Sequence, residues 1–229
     1  DVILNPKYGY GANINPCIDC RIYMFKKAKQ IMEEIGADFI ISGEVLGQRP
    51  KSQKSLPMKI IERDSGLEGL ILRPLSAKRL PPTIPELKGW VDREKLEGIV
   101  GRSRKRQLEL AKELGIDEFE SPAGGCCYLT DENYAHKYKE TMAVEGKITQ
   151  EDLVLFTVGR HFRLDSGTKV IVSRNEGENN FLSGFSKRYH YFEPIGKGPV
   201  AIAKPLHDNN LDEDDKQIIA NIIARYSKT

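Results

Sequence analysis

Apolar residues recur at three- and four-residue intervals at Ile22, Phe25, Ala28, Ile31, Met32 and Ile35. That period predicts a core-facing helix over about Arg21–Ile35, closed by Gly36. Before it, residues 1–16 are rich in Gly, Asn and Pro and read as a loop. The short apolar run within Asp38–Ser42 predicts a buried strand of the parallel type, and Gly69–Arg73 predicts a second. Between them, Gly47–Gln53 is a polar loop. Ligands of open α/β sheets sit beyond the carboxyl ends of strands, so this loop is a candidate site wall as well as an ordinary surface loop. Residues 81–90 are proline-rich and break structure. Asp92–Ile99 reads as a short helical stretch, and Arg104–Leu114 as a helix with Leu108, Ala111 and Leu114 on one face. Thr130 or Asp131 can cap a further helix reaching about Val144.

Beyond Gly146 the texture changes. Val154–Val158, Lys169–Ser173 and Pro199–Ala203 are apolar and β-rich. Asp212–Tyr226 reads as a closing helix with Ile218, Ile219, Ile222, Ile223 and Tyr226 on one face. A boundary near residue 147 therefore separates an α/β part, 1–147, from a small α+β part, 148–229. Asp212–Asp215 lies at a helix start, where negative charge is favourable without further function.

Composition narrows the class. The chain has 229 residues, 39% hydrophobic and 30% charged, with a net charge of +2. Its length fits one large or two small domains at ~100–200 residues each. No apolar run approaches the ~20 residues that cross a bilayer, and no secretory signal is visible, so a cytoplasmic protein without a membrane partner is expected. The balance of charge is not that of a globally basic nucleic-acid binder, which leaves local patches.

One such patch stands out. Leu153–Lys204 holds eight Lys and Arg (Arg160, Arg163, Lys169, Arg174, Lys187, Arg188, Lys197, Lys204) against four acids. They mix with Phe162, Phe181, Phe185, Tyr189, Tyr191 and Phe192. Cations beside stacking aromatics suit single-stranded or looped RNA, and they also suit a solvated β surface over an aromatic core. Arg160, Arg163, Arg174, Asn175, Lys187 and Arg188 are the candidate RNA contacts. A second basic run, Arg102–Arg106, opens a helix.

Four cysteines are present: Cys17, Cys20, Cys126 and Cys127. Cys17 and Cys20 have the spacing that lets two thiolates face one metal ion, or lets one attack its neighbour. Gly124-Gly125 ahead of the second pair point to a tight turn. Adjacent cysteines point in different directions in most backbones, so one of the later pair would join Cys17 and Cys20. Three thiols fit an iron–sulfur cluster with an open iron or a persulfide pair better than a closed four-ligand zinc site, though structural zinc and inert thiols stay open. No P-loop, dinucleotide fingerprint, His-Glu-x-x-His or Gly-x-Ser-x-Gly occurs, and the four histidines share no metal spacing.

The ordered segments Asn15-Pro16-Cys17-Ile18-Asp19-Cys20, Gly36–Glu44 (Gly-Ala-Asp-Phe-Ile-Ile-Ser-Gly-Glu), Gly-Glu-Val-Leu-Gly-Gln-Arg-Pro at 43–50, Arg73-Pro74-Leu75-Ser76 and Ser121–Asp131 resemble tRNA thiouridylases of the MnmA type over roughly residues 8–135. Val158-Gly159-Arg160 and Ser173-Arg174-Asn175 followed by Asn179 resemble the RNA-binding module NFACT-R, whose turn has Gly where Ser173 stands.

The first resemblance implies the C-terminal part of a parallel-sheet nucleotide-hydrolase-like domain and an ATP-dependent thiolation of a tRNA uridine. ATP, with Mg, adenylates a base carbonyl and a sulfur nucleophile displaces AMP. In one version Cys17, Cys20 and Cys126 hold a 4Fe-4S cluster. In the other Cys126 carries a persulfide and Cys20 resolves the disulfide. Zinc is the alternative metal. The implied partners are tRNA and a sulfur donor, either a persulfide carrier or sulfide. Gly43, at the end of the first strand, is the candidate nucleotide contact, and Asp19 is expected to orient the cysteine loop. The family's Ser-Gly-Gly-x-Asp-Ser loop is absent, and the chain starts at Asp1. The expectation is therefore a separate or missing N-terminal ATP-binding segment. A non-catalytic RNA-binding protein with structural zinc, and a thiol oxidoreductase using Cys17 and Cys20, are the competing classes.

Overall fold

The computed structural model describes residues 2–119, 126–206 and 210–227. Gly124-Gly125, the Ser121–Gly125 portion of the thiouridylase resemblance and His207 lie outside them. The architecture is mixed α/β and divides into two compact units, Asp1–Thr130 and Asp131–Thr229. The division falls at 130/131 rather than at 147. The capped helix that follows it carries Tyr134 and Tyr138, which meet Phe156 edge-on and so tie it to the second unit.

In the first unit α1 spans Cys17–Glu34 and α2 spans Ser55–Ser65. Helix α1 starts four residues earlier than its apolar period indicates, directly after Pro16, whose carbonyl accepts from Cys20 N at 2.8 Å. Its buried face is Ile18, Ile22 and Phe25, which pack with Ile61, Leu67 and Ile71. Ile31 and Ile35 are instead exposed, because α2 covers only the first half of the helix face. Strands β1, Ile40–Ile41, and β2, Ile71–Leu72, pair in parallel in the register Ile40 with Ile71. Both residues of β2 are buried, but Ile41 is 65% exposed, so β1 is not the fully buried strand its composition indicates.

The proline-rich stretch contains one helical turn, α3, Ile84–Leu87. Its start is fixed by Glu86, whose carboxylate accepts from Thr83 N at 2.7 Å and Thr83 Oγ1 at 2.5 Å. Asp92–Ile99 yields only a 3-10 turn at Arg93–Lys95. Helix α4, Lys105–Glu113, buries none of its residues, and Leu108 and Leu114 lie on its exposed side.

At the carboxyl ends of β1 and β2 sit Glu44 and Arg73. Arg73 Nε donates to Glu44 Oε2 at 3.0 Å, both side chains being buried, and its Nη1 pairs with Glu62. The neighbouring loop is knotted on itself: Gly47 N donates to Gln53 O at 2.6 Å, and Gln53 Oε1 accepts from Arg49 N at 3.0 Å. Gly47 has φ +77°, the left-handed backbone that glycine adopts without strain.

The second unit is an antiparallel sheet flanked by helices. Helix α5, Glu132–Glu145, is capped by Asp131, whose carboxylate accepts from Tyr134 N at 2.7 Å. Helix α6, Gln150–Leu155, replaces the expected strand at 154–158, because Thr149 and Asp152 form a reciprocal cap at its start. Strands β3 (Arg160–Arg163), β4 (Lys169–Val172), β5 (His190–Phe192) and β6 (Ala201–Lys204) form a sheet of order β3-β4-β6-β5. Helices α7, Glu176–Ser183, and α8, Glu213–Tyr226, complete it.

The two central strands are apolar on both faces. Val170 lies opposite Ala203 and Val172 opposite Ala201, and the small alanines leave room for Ile219 and Ile223 of α8. On the other face Ile171 lies opposite Ile202 and packs with Leu155 and Leu182. Within the apolar face assigned to α8, Ile218 is exposed, since it lies off the side that meets the sheet. Asp215 is buried and accepts from Ser166 Oγ and Thr168 Oγ1 at 2.6 Å each, a structural use of the acidic helix start.

Candidate thiol site and nucleic-acid interface

The thiol site belongs to the first unit. Cys17 and Cys20 occupy the first turn of α1, one helical step apart on neighbouring positions of the same side. The loop before them is held from two directions. Asp19 accepts from Lys7 N at 2.8 Å and Tyr8 N at 3.1 Å, so it ties the helix start to the segment at residues 7–8. Asn15 is buried; its Oδ1 accepts from Asn13 N at 3.0 Å and its Nδ2 donates to Cys17 Sγ at 3.2 Å. Gly11 permits this arrangement, because a Cβ there would stand 2.0 Å from Asn15 Nδ2.

All four cysteines are free thiols. Burial pushes the Cys20 thiol up, with Cys127 and Cys17 acting in the same direction and Arg21 opposing. Cys127, which had no role on sequence grounds, is thus the member of the later pair whose charge Cys20 feels. Cys126 is exposed, and Arg49 Nη1 from the knotted loop reaches its sulfur at 3.8 Å. Among the described residues no three Cys, His, Asp or Glu side chains gather into a set that could hold a metal ion. Gly43 stands in open space, with nothing within 4 Å of where a Cβ would be.

The nucleic-acid candidates belong to the second unit, and ion pairing sorts them. Arg163 is fully engaged: Nε donates to Glu140 at 2.6 Å, Nη2 to Glu145 at 3.1 Å and Nη1 to Gly167 O at 2.8 Å. Burial works to raise the Glu140 carboxyl, but the hydrogen bonds from Arg163 and Lys169 hold it down to about 2. Lys204 is likewise committed to Glu145 and Asp152. Arg174 binds Glu178 with Nε at 2.8 Å while its backbone N–H donates to the same carboxylate at 2.7 Å. Arg188 pairs with Glu151 but stays 69% exposed.

The Ser173-Arg174-Asn175 turn is a structural knot. Asn175 caps α7 by accepting from Glu178 N at 3.0 Å. Asn179 accepts from Ser173 Oγ and from Val200 N, and donates to Gly198 O at 3.2 Å. Glu178 also accepts from Gly159 N at 3.2 Å. Gly159 has φ +67°, and a Cβ would meet Val172 O at 2.9 Å, so this turn requires glycine.

Three cations of the basic group have no carboxylate partner among the described residues: Arg160, Lys187 and Lys197. Arg160 Nη1 donates to Ser173 O at 3.2 Å and the guanidinium lies 4.5 Å from the centre of the Tyr226 ring. Arg160, Arg174, Asn175, Lys197 and Tyr226 line a common cavity of about 340 Å³. Lys197 and Tyr226 were missed as site residues. Lys197 is marked in the sequence only by the glycines on either side, and Tyr226 only by its place on a helix face.

Among the described residues no helix is long and apolar enough to cross a membrane. No curated protein and no solved structure matches the chain. Residues 159–229 match the family model of the NFACT protein RNA binding domain, which supports RNA binding by the unit that holds the uncompensated cations.

Proposed function

We propose that the chain binds a tRNA through residues 159–229 and that the thiols of the first unit transfer sulfur to one of its uridines. The observation that carries the RNA part is the family match over the segment that groups Arg160 and Lys197 around one cavity. Unpaired cations bind phosphate without first giving up an ion pair, and each contact releases a counterion. The tyrosine and the asparagine-capped turn beside them supply a stacking face and polar edges.

The sulfur part rests on the ordered segments around Cys17, Cys20 and Cys126. Cys126 as a persulfide attacks the ring carbon of a uridine whose carbonyl oxygen carries AMP. A carbon–sulfur bond forms, the carbon–oxygen bond breaks and AMP leaves. The Cys20 thiolate then attacks Cys126 Sγ. The sulfur–sulfur bond breaks, the thiouridine departs, and the Cys20–Cys126 disulfide is reduced by an external thiol. Supporting Cys126 as the carrier is Arg49, whose guanidinium faces that sulfur and would pair with the anion it becomes. ATP, Mg and the persulfide donor come from outside the described residues.

Fluorescence anisotropy of the full chain with a tRNA transcript tests the RNA part. Salt-dependent binding is expected, and no binding at low salt overturns it. For the sulfur part, the chain is treated with a persulfide donor and its intact mass is read. One added sulfur, lost in Cys126→Ser, is the expected result, and labelling that survives this substitution contradicts it. Anaerobic iron and acid-labile sulfide assays separate the cluster version, which requires both, from the thiol version, which requires neither.

A further inference from the structure

A second concavity opens on the same unit, between α5 and β3, with a volume of about 450 Å³. One wall is Asn133, His136 and Lys137 of α5, which lies ahead of the matched segment 159–229. The other wall includes Arg160 and Arg163, with Arg174 at the side. Four cations line it against one carboxylate, Glu140, which is already committed to Arg163 and Lys169.

Lys137 is the unusual member. Its ammonium donates to Phe156 O at 2.9 Å and Gly159 O at 3.4 Å. An ammonium has three donors, so one is left over. No carboxylate pairs with it among the described residues. Burial pushes it down to about 8, and the charges of Arg174 and then Lys169 act the same way, while Glu178 and Asp131 oppose them. His161, from β3, stays neutral against it: burial, then Lys137 and Lys169, hold its imidazole down to about 3. Of the four cations, Arg163 and Arg174 are offset by Glu140 and Glu178, while Lys137 and Arg160 have no carboxylate partner among the described residues, so the half-enclosed cleft keeps two uncompensated charges.

We propose that this cleft is a phosphate subsite that takes a backbone phosphodiester of the bound RNA strand, extending the interface from the matched module onto α5. The proposal rests on the RNA-binding reading above. A phosphodiester brings one negative charge and acceptor oxygens to the spare donor of Lys137 and to Arg160, which lines both concavities. Asn133 and His136 stand exposed at the rim, where a strand would enter.

The test is anisotropy of the full chain with a labelled single-stranded oligouridylate, across pH and KCl concentration. Asn133→Glu adds a carboxylate at the rim without removing a contact. It is expected to weaken binding about tenfold and to reduce the salt slope by about one unit. Wild-type affinity is expected to fall as pH rises through the Lys137 titration, and Lys137→Gln is expected to remove that step. Millimolar inorganic phosphate at constant ionic strength is expected to leave RNA bound. If it displaces RNA, the cleft is a free-anion site and the strand subsite is overturned. Wild-type binding with both variants unchanged overturns the subsite alone. No binding by the wild type overturns the RNA reading beneath it.

Discussion

The two units place their chemistry on different kinds of support. In the second, a four-stranded sheet has both faces covered, and the side chains that neutralise its cations come from α5, α6 and α7. In the first, each strand is two residues long, and Cys17 and Cys20 stand in the first turn of α1, where Asp19 and Asn15 tie the helix start to the preceding loop. A sheet fixes which cations are free by using up the others. A loop fixes a thiol only as well as its few hydrogen bonds do. The family match places RNA binding on the sheet-supported unit, and the sulfur chemistry proposed for the other would rest on a few hydrogen bonds.

The largest effect that can break this comparison lies at the buried ion pair of the first unit. Glu44→Ala leaves the buried Arg73 with Glu62 as its remaining carboxylate partner and is expected to cost about 3 kcal/mol. Trp90, the single tryptophan, lies in the first unit, so its fluorescence follows that loss during urea unfolding. The counterpart in the second unit is Gly159→Ala, expected to cost about 2 kcal/mol through the strained backbone and the clash with Val172 O. Circular dichroism should register this loss while the Trp90 transition stays in place. A shift of both together would show that the units are not separate in stability.

Acid gives the next effect. The His161 imidazole is held down to about 3 in the folded unit, against 6.5 for the free side chain. The unfolded chain therefore takes up a proton that the folded one refuses, so stability declines as pH falls below about 6.5 and towards 3. His161→Gln should flatten that decline in a pH series of unfolding midpoints, and an unchanged slope would contradict the burial argument. The smallest effect concerns the tether. Gly11→Ala should push Asn15 from Cys17 and change the alkylation rate of Cys17 several-fold, with Cys126 unaffected. Mass spectrometry of the labelled peptides reads both sites.

Much of the second unit was legible in the sequence. The runs at Lys169–Ser173 and Pro199–Ala203 are apolar on both faces because both faces are buried, and the isoleucines of α8 keep helical spacing. The run at 154–158 misled because a short apolar stretch reads equally as strand or helix, and only the Thr149–Asp152 cap decides it. Strands β3 and β5 lie at the two edges of the sheet, so their mixed polar composition carries no strand signal. Helix α2 escaped because Pro57 and its charged residues interrupt the apolar period. The resemblance at Ser173–Asn179 located the right turn, but its residues serve the fold. Arg174 pairs with Glu178 four residues on, but Arg163 and Arg188 pair with Glu140 and Glu151, 23 and 37 residues away, and no local pattern reveals those partners. That the charge of Cys127 acts on Cys20 was not legible, since adjacent residues differ only in direction.

The central claim is that pairing, not mere basicity, decides which cations hold RNA. Salt-dependent anisotropy with one RNA, run on Arg160→Ala, Lys197→Ala and Arg188→Ala, tests it directly. Losses of about tenfold, with the salt slope reduced by about one unit in each of the first two variants and almost no change in the third, are predicted. An equal or larger loss in Arg188→Ala, whose guanidinium is paired with Glu151, would contradict the account.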